Sequence, residues 1–346
     1  MPINAYDTGR LERVIEGIVA SNAEPVQFLA RTFFSTVSRS DTEEIFFDVV
    51  DGKPRITPFV SPLVEGKVVA NRGYETKSFK PAYLKEKRVV RPQQGLKRRP
   101  GEPFMGTMSP EGRIQAAVAD NLADMLKMLN RRFEVMATEV LLTGKQVVSG
   151  EGYATQVVDF QRDPAHTVAL TGASRWGQAG VSPLADLRSW AITVRGNSGL
   201  SPRTVIMEDS AFEEFIKDPE VKALFDVRRG TSISLSLDPI VADEKSVFRG
   251  NIGSFDIWTY NDVYVDDDGV DQTLLPTGTV LLVARTGLEG VRHHGAILDE
   301  AAGIRPLEYF VKSWSENDPP VRYMLLQSSA LVVPYRANAS FCATVL

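Results

Sequence analysis

Three histidines, one cysteine and a short run of aspartates are the side chains with which this chain could do chemistry. His293 and His294 are adjacent, and neighbours on a strand point to opposite faces, so the pair makes a poor two-ligand metal site. His166 stands apart from them. Asp262, Asp266, Asp267, Asp268 and Asp271 have the density of a calcium loop. Aligning Asp266, Asp268 and Gly269 to an EF-hand places Tyr264 at the first ligand position and Leu275 at the last, where Asp and Glu are required. A polar hairpin turn is the better reading. Cys342 lies in a β-type run and reads as a small buried residue. A single cysteine also excludes an intramolecular disulfide or a multi-cysteine metal site. The glycine-rich phosphate loops and the G-x-S-x-G nucleophile motif do not occur. No catalytic residue, metal or cofactor is assigned, and an enzyme is not expected.

Binding chemistry is concentrated elsewhere. Between Val64 and Pro100 there are eleven Lys or Arg against three Glu, a net of +8 in a chain whose total is −5. One basic segment therefore sits on an acidic body. Tyr74, Phe79 and Tyr83 are interleaved with its cations, whereas Lys97-Arg98-Arg99 has no aromatic neighbour to stack a base. Such a segment suits nucleic acid, and it equally suits a subunit whose arm docks on an acidic surface of its neighbour.

The element that must carry this arm is the stretch from Ser109 to Gly144. Ile114, Val118, Leu122, Met125, Leu129, Phe133, Met136 and Val140 recur at spacings of four and three, the signature of one helix face. Ser109 is placed as N-cap, Pro110 as the first helical residue and Gly144 as the stop. At 1.5 Å per residue the helix is about 50 Å long, a spine rather than an ordinary element. Arg131 and Arg132 fall on its polar side.

Around it, residues 8–20 predict an amphipathic helix with Thr8 as N-cap and Leu11, Val14, Ile15 and Ile18 on one face. Residues up to Arg39 read as an extended arm. EEIFFDVV, the turn Asp51-Gly52-Lys53 and PRITPFV predict a hairpin. Val64 to Ala70 and Glu75 to Phe79 predict two strands around Asn71-Arg72-Gly73, with a short strand at Lys87 to Arg91. An isolated two-stranded ribbon cannot bury enough surface, so this one must lie on its own domain or on another subunit. Beyond the spine come a hairpin with Gly150 and Gly152 at its turn, a helix at Leu184 to Arg195 and a strand at Thr204 to Met207. Two short helices follow, split at Asp218-Pro219, and then strands resume to the end. The pattern is α+β with an inserted domain. With 43% hydrophobic and 24% charged residues the chain is of ordinary globular composition. It has no apolar run of membrane-spanning length and no secretion signal at its start, so use in a cytoplasm and no membrane contact are expected.

The run FVSPLVEGKVVANRGYETKSFKPAYLKEKRVVRP, the helix ending LLTGK, LFDVRRG at Leu224 to Gly230, and the later LLPTGTVLLVART and GVRHHGAI resemble the major capsid proteins of lambda-type tailed bacteriophages. The correspondence is weak in the first forty residues and in Gln161 to Gly180. The resemblance implies the Hong Kong 97-type capsid fold: an N-terminal arm with hairpin (1–61), an extended β loop (62–100) and a peripheral domain (101–182) with the spine helix at 109–144. An axial domain (183–297) and a return to the peripheral domain (298–346) complete it. It implies a structural shell subunit forming hexamers and pentamers of an icosahedral head around double-stranded DNA, assembled in the bacterial host cytoplasm. Lys67, Val68, Arg72, Lys77, Phe79, Lys80, Lys85, Arg88 and Arg91 of the loop are the expected contacts between subunits. Some members of the fold carry a helical scaffolding segment at the N-terminus, for which this chain has no room, so a separate scaffolding protein is expected, with a portal and a decoration protein as further partners. Contact with packaged DNA is expected to be weak and non-specific. The alternatives are the shell subunit of a cellular nanocompartment and a nucleic-acid-binding protein.

Overall fold

The computed structural model describes residues 8–20, 27–50, 65, 74–98, 102, 108–150, 152–229, 245–318 and 320–346. Helices α1 (Thr8–Ala20) and α2 (Leu29–Phe33) lead into strands β1 (Thr36–Arg39) and β2 (Ile45–Val50). Strands β3 (Tyr74–Phe79) and β4 (Tyr83–Val90) and the single turn α3 (Gln93–Leu96) precede the spine, α4 (Pro110–Thr143). After it come the hairpin β5 (Lys145–Gly150) and β6 (Tyr153–Asp159), then β7 (Thr167–Ala169), α5 (Pro183–Ser198), β8 (Thr204–Met207), α6 (Asp209–Lys217) and α7 (Pro219–Arg229). Strands β9 (Ser246–Ile252) and β10 (Phe255–Tyr260), the small hairpin β11 (Val263–Val265) and β12 (Asp271–Thr273), β13 (Thr279–Val283) and β14 (Gly290–His294) follow. Strands β15 (Phe310–Glu316), β16 (Val321–Pro334) and β17 (Ser340–Thr344) close the chain.

The spine forms as its residues predict. The Ser109 hydroxyl accepts from the Gly112 amide at 3.0 Å, and Gly144 ends the helix at φ +71. Only glycine suits that position, because a Cβ there would also lie 2.6 Å from Cβ of Arg162. Of the eight apolar residues in the predicted stripe, Val118 to Val140 are buried and Ile114 is partly so.

Two sheets flank this helix. In the first, the order β1-β14-β16-β15 is extended by β4, which also pairs with β16. Fourteen residues make β16 long enough to hold β15 and β4 along its first half and β14 at Ala330–Pro334. The second sheet runs β7-β17-β13-β8-β10-β9. Both of its faces are covered, so β13 is buried at every residue: Leu281 and Val283 face the spine's core, Val280 and Leu282 a second core under α5 and α6.

Several expectations are corrected by these pairings. Strand β14 lies inside the span 183–297 drawn as axial, yet it pairs with β16 and β1 of the spine-side sheet. Conversely β17, expected to return to the peripheral domain, joins the six-stranded sheet of β13, β8, β10 and β9 and brings β7 with it. Sheet membership is decided by partners far outside the local window, from Ala330 opposite His294 to Val291 opposite Thr36, which local periodicity does not contain. Thr8 is the first helical residue of α1 rather than a residue outside it. Leu11 and Ile15 are buried against the same chain, where α1 meets β15 and α4. Leu29–Phe33 is not extended: it forms α2, and Phe28, Leu29, Phe33 and Phe34 are all buried. Strand β2 takes β3 as its partner. The turn Asp51-Gly52-Lys53, the run to Val60 and the predicted strand at Val64 to Ala70 lie outside the described residues, Glu65 excepted.

Candidate functional site

The basic segment is rooted in the body by its polar side chains. β2 and β3 are antiparallel with Val50 opposite Tyr74, so both ends of the span 51–73 are held side by side. Lys77 Nζ donates to the Asp159 carbonyl at 3.1 Å, the Tyr153 hydroxyl donates to the Lys80 carbonyl at 2.7 Å, and Lys80 pairs with Glu43. Phe79 packs half-buried on the spine's core. Strand β4, longer than the predicted Lys87 to Arg91, is part of the sheet itself. From it Arg88 reaches Glu86 at 2.6 Å and Asp124 of the spine at 3.4 Å. Lys85 lies exposed over the Tyr83 ring, and Arg91 is exposed. Lys67, Val68 and Arg72 lie outside the described residues.

The middle of the spine gathers contacts that the sequence did not announce. Asn130, Glu134 and Thr138 recur every four residues, a polar stripe beside the apolar one. Glu134 is fully buried, and its carboxylate accepts from the amides of Phe28, Leu29 and Ala30 at 2.7–3.1 Å and from the Tyr260 hydroxyl at 2.9 Å. Those three amides are the first free donors of α2, which no intrahelical carbonyl satisfies. One side chain thus joins the N-terminal segment, the spine and β10. Gln27 adds a bond to the Asn130 side chain at 2.9 Å. The two arginines assigned to the polar side are ties as well: Arg131 pairs with Asp262, which Lys245 also meets at 2.8 Å, and Arg132 pairs with Asp267. In the sequence, apolar residues pause at Asn130-Arg131-Arg132, a signal that could have pointed to this junction.

Burial pushes the Glu134 carboxyl up to about 7, and its four donors limit the rise. Burial likewise raises the Tyr260 hydroxyl. The histidines are structural. His166 Nδ1 lies 2.9 Å from the Ser340 carbonyl, and Asn197 lies 3.0 Å from Nε2. His293 meets the Tyr335 hydroxyl at 3.0 Å. His294 packs edge-on against Phe133, and burial pushes it down to about 4, so the ring is neutral. Cys342 is buried and its thiol is pushed up to about 11. The aspartate run forms the polar turn predicted for it, with Asp266 accepting from the amides of Asp268 and Val270. Among the described residues no three of His, Cys, Asp or Glu gather as metal ligands.

The chain as a whole is similar to known proteins. The model of the family described as phage major capsid protein E matches residues 13–345. The major capsid protein of Escherichia phage lambda is 27% identical over 326 residues, covering 91% of this chain and 94% of its own. That of Enterobacteria phage P21 is 29% identical over 312 residues, covering 87% and 89%. The solved structure of a prophage capsid protein of E. coli CFT073 superposes with a TM-score of 0.76 at 20% identity, covering 98% of this chain and 99% of that one.

Proposed function

The chain belongs to the phage major capsid protein E family, has the Hong Kong 97-type capsid fold and is a structural subunit of the virion head; on that premise we propose how it builds the shell. It forms hexamers and pentamers around double-stranded DNA and carries no catalytic step. It is divided into an arm, an extended loop, a peripheral region and an axial region, and the strand pairings support counting β14 as peripheral and β7 and β17 as axial. The loop makes the contacts between subunits. Lys67, Val68 and Arg72 reach the neighbour, joined by the exposed Lys85 and Arg91, while Lys77, Phe79, Lys80 and Arg88 hold the loop's root. Scaffolding, portal and decoration proteins are its partners in assembly. DNA contact is weak, because the body outside the basic segment is acidic and a tight grip would require many phosphate-neutralising cations.

The observation that carries this reading is the paired root. Val50 and Tyr74 are opposite one another, so the segment between them can be excised without breaking either sheet. Replacing residues 51–73 by Asn-Gly, a pair suited to two-residue hairpins, should leave a soluble folded subunit that cannot close shells. A larger deletion reaching Val90 would remove β4 from its own sheet and test folding instead. Normal particles from the short-loop variant in electron micrographs would overturn the proposal.

A further inference from the structure

A groove of about 510 Å³ opens on the axial domain between α5, α7 and the turn from β9 to β10. Its floor is apolar, with Leu184 and Phe255 buried and Ile192 and Leu224 left 59% and 40% exposed. Two cations rim it. Arg188 is shared with Glu220, and exposed Arg195 has no ion pair among the described residues.

The β11–β12 hairpin has the opposite character. In its register Val263 faces Thr273 and Val265 faces Asp271, so these four residues share one face. Tyr264, on the other face, packs on the spine's core. The outer face is therefore free, with Val263, Val265 and Val270 between 53% and 63% exposed beside Asp268 and Asp271. No Lys or Arg occurs from 250 to 284. The turn is set in advance by the Asp266 carboxylate, by Gln272 donating to it at 3.1 Å and by the tie from Asp267 to Arg132. Little ordering is left for a partner to impose.

We propose that the acidic, valine-faced hairpin of one subunit docks in the arginine-rimmed apolar groove of the next around the capsomer. This rests on the shell-subunit reading above. The two surfaces are complementary in charge and both offer exposed apolar side chains. They also lie at opposite ends of β10: the groove is at Phe255, and the hairpin begins just past Tyr260, about 20 Å along the strand. A surface and its complement at two separate places on one subunit give a head-to-tail contact, the kind that closes into a ring.

The test uses the full chain assembled with its partner gene products. Ile192→Cys and Val265→Cys in the same chain should give, on mild oxidation of the particles, a ladder of linked chains up to hexamer. Either substitution alone should give none, and mixed single variants should stop at dimers; Cys342, being buried, stays silent. Particles without the ladder would overturn the docking while leaving the shell reading intact, whereas an unsubstituted chain that forms no shells would overturn that reading first. Should the double cysteine variant fail to assemble, charge reversal decides. Arg195→Asp and Asp271→Arg singly should cut particle yield at least about tenfold, since like charges would then face one another, and together should restore it. Full yield from the single variants, or no restoration in a double variant folded by circular dichroism, would overturn the proposal.

Discussion

The two cores flanking the six-stranded sheet are built on different terms. Under α5 and α6, aromatic side chains do the packing: Trp176 lies 6.1 Å from Trp190 and 5.8 Å from Phe215, and Trp190 stacks 5.4 Å from Phe341. Around the spine, apolar packing is pinned by polar ties, and the buried carboxyl groups of Glu134 and Asp262 meet groups on or against α4. Apolar burial favours any close fit, whereas hydrogen bonds to a buried carboxyl group are satisfied in one register only. The core under α5 and α6 can settle by shape. The spine has to hold an N-terminal segment and β10 at fixed places, and it uses Glu134 for both.

Removing the defining side chain on each side breaks the comparison most severely. Trp190→Ala should cost about 3–5 kcal/mol through the cavity it leaves, with amide exchange at Phe28, Leu29 and Ala30 unchanged until global unfolding. Glu134→Ala should cost a similar amount, about 3–5 kcal/mol, because it strands buried donors. Its mark is different: those three amides should lose protection well ahead of the core under α5 and α6. Equal exchange behaviour in the two variants would show that the cores are not distinct in this way.

A pH series sharpens the same contrast. The Glu134 carboxyl is raised from 4.5 to about 7, so between these values the folded chain holds a proton that the unfolded chain releases, and stability falls as pH rises. His294 is lowered from 6.5 to about 4, so across that window the unfolded chain binds the extra proton, and stability rises with pH. Each shift corresponds to about 3 kcal/mol. The two nearly cancel from 4.5 to 6.5, leaving a shallow profile in denaturant titrations. Glu134→Gln should uncover a stability that climbs with pH over that range, and His294→Leu one that declines toward 7. Profiles that move in the same direction in both variants would refute the assignment.

How much of this was legible in the sequence follows the same division. Local signals were sufficient for the spine, both of its caps, the strand Thr204–Met207, the helix break at Asp218-Pro219 and the polar turn at Asp266, because each depends on neighbours within a few residues. The resemblance supplied the architecture into which they fit. What stayed hidden depends on distant partners: that β14 and β17 exchange sheets, that α2 is a helix capped by a residue 104 positions away from Ala30, and that the root of the basic segment is fixed by Asp159, Glu43 and Tyr153. The spacing Asn130-Glu134-Thr138 was in view, but a polar stripe reads as a solvated face until something is known to cover it.

The smallest effects separate two adjacent arginines. Arg131 and Arg132 both leave the spine to meet an aspartate, yet the Asp262 side chain is 2% exposed and that of Asp267 is 78% exposed. In water-filled surroundings the pair gains little over its hydrated ions, so Arg132→Ala should cost less than about 1 kcal/mol, and salt should erase even that. Arg131→Ala leaves a buried carboxylate to Lys245 and one backbone amide, and should cost about 2 kcal/mol that salt does not screen. Paired denaturant titrations at low and high salt measure both. Similar losses for the two arginines would mean that Asp262 is no better sheltered than Asp267, and that the polar pinning of the spine ends at Glu134.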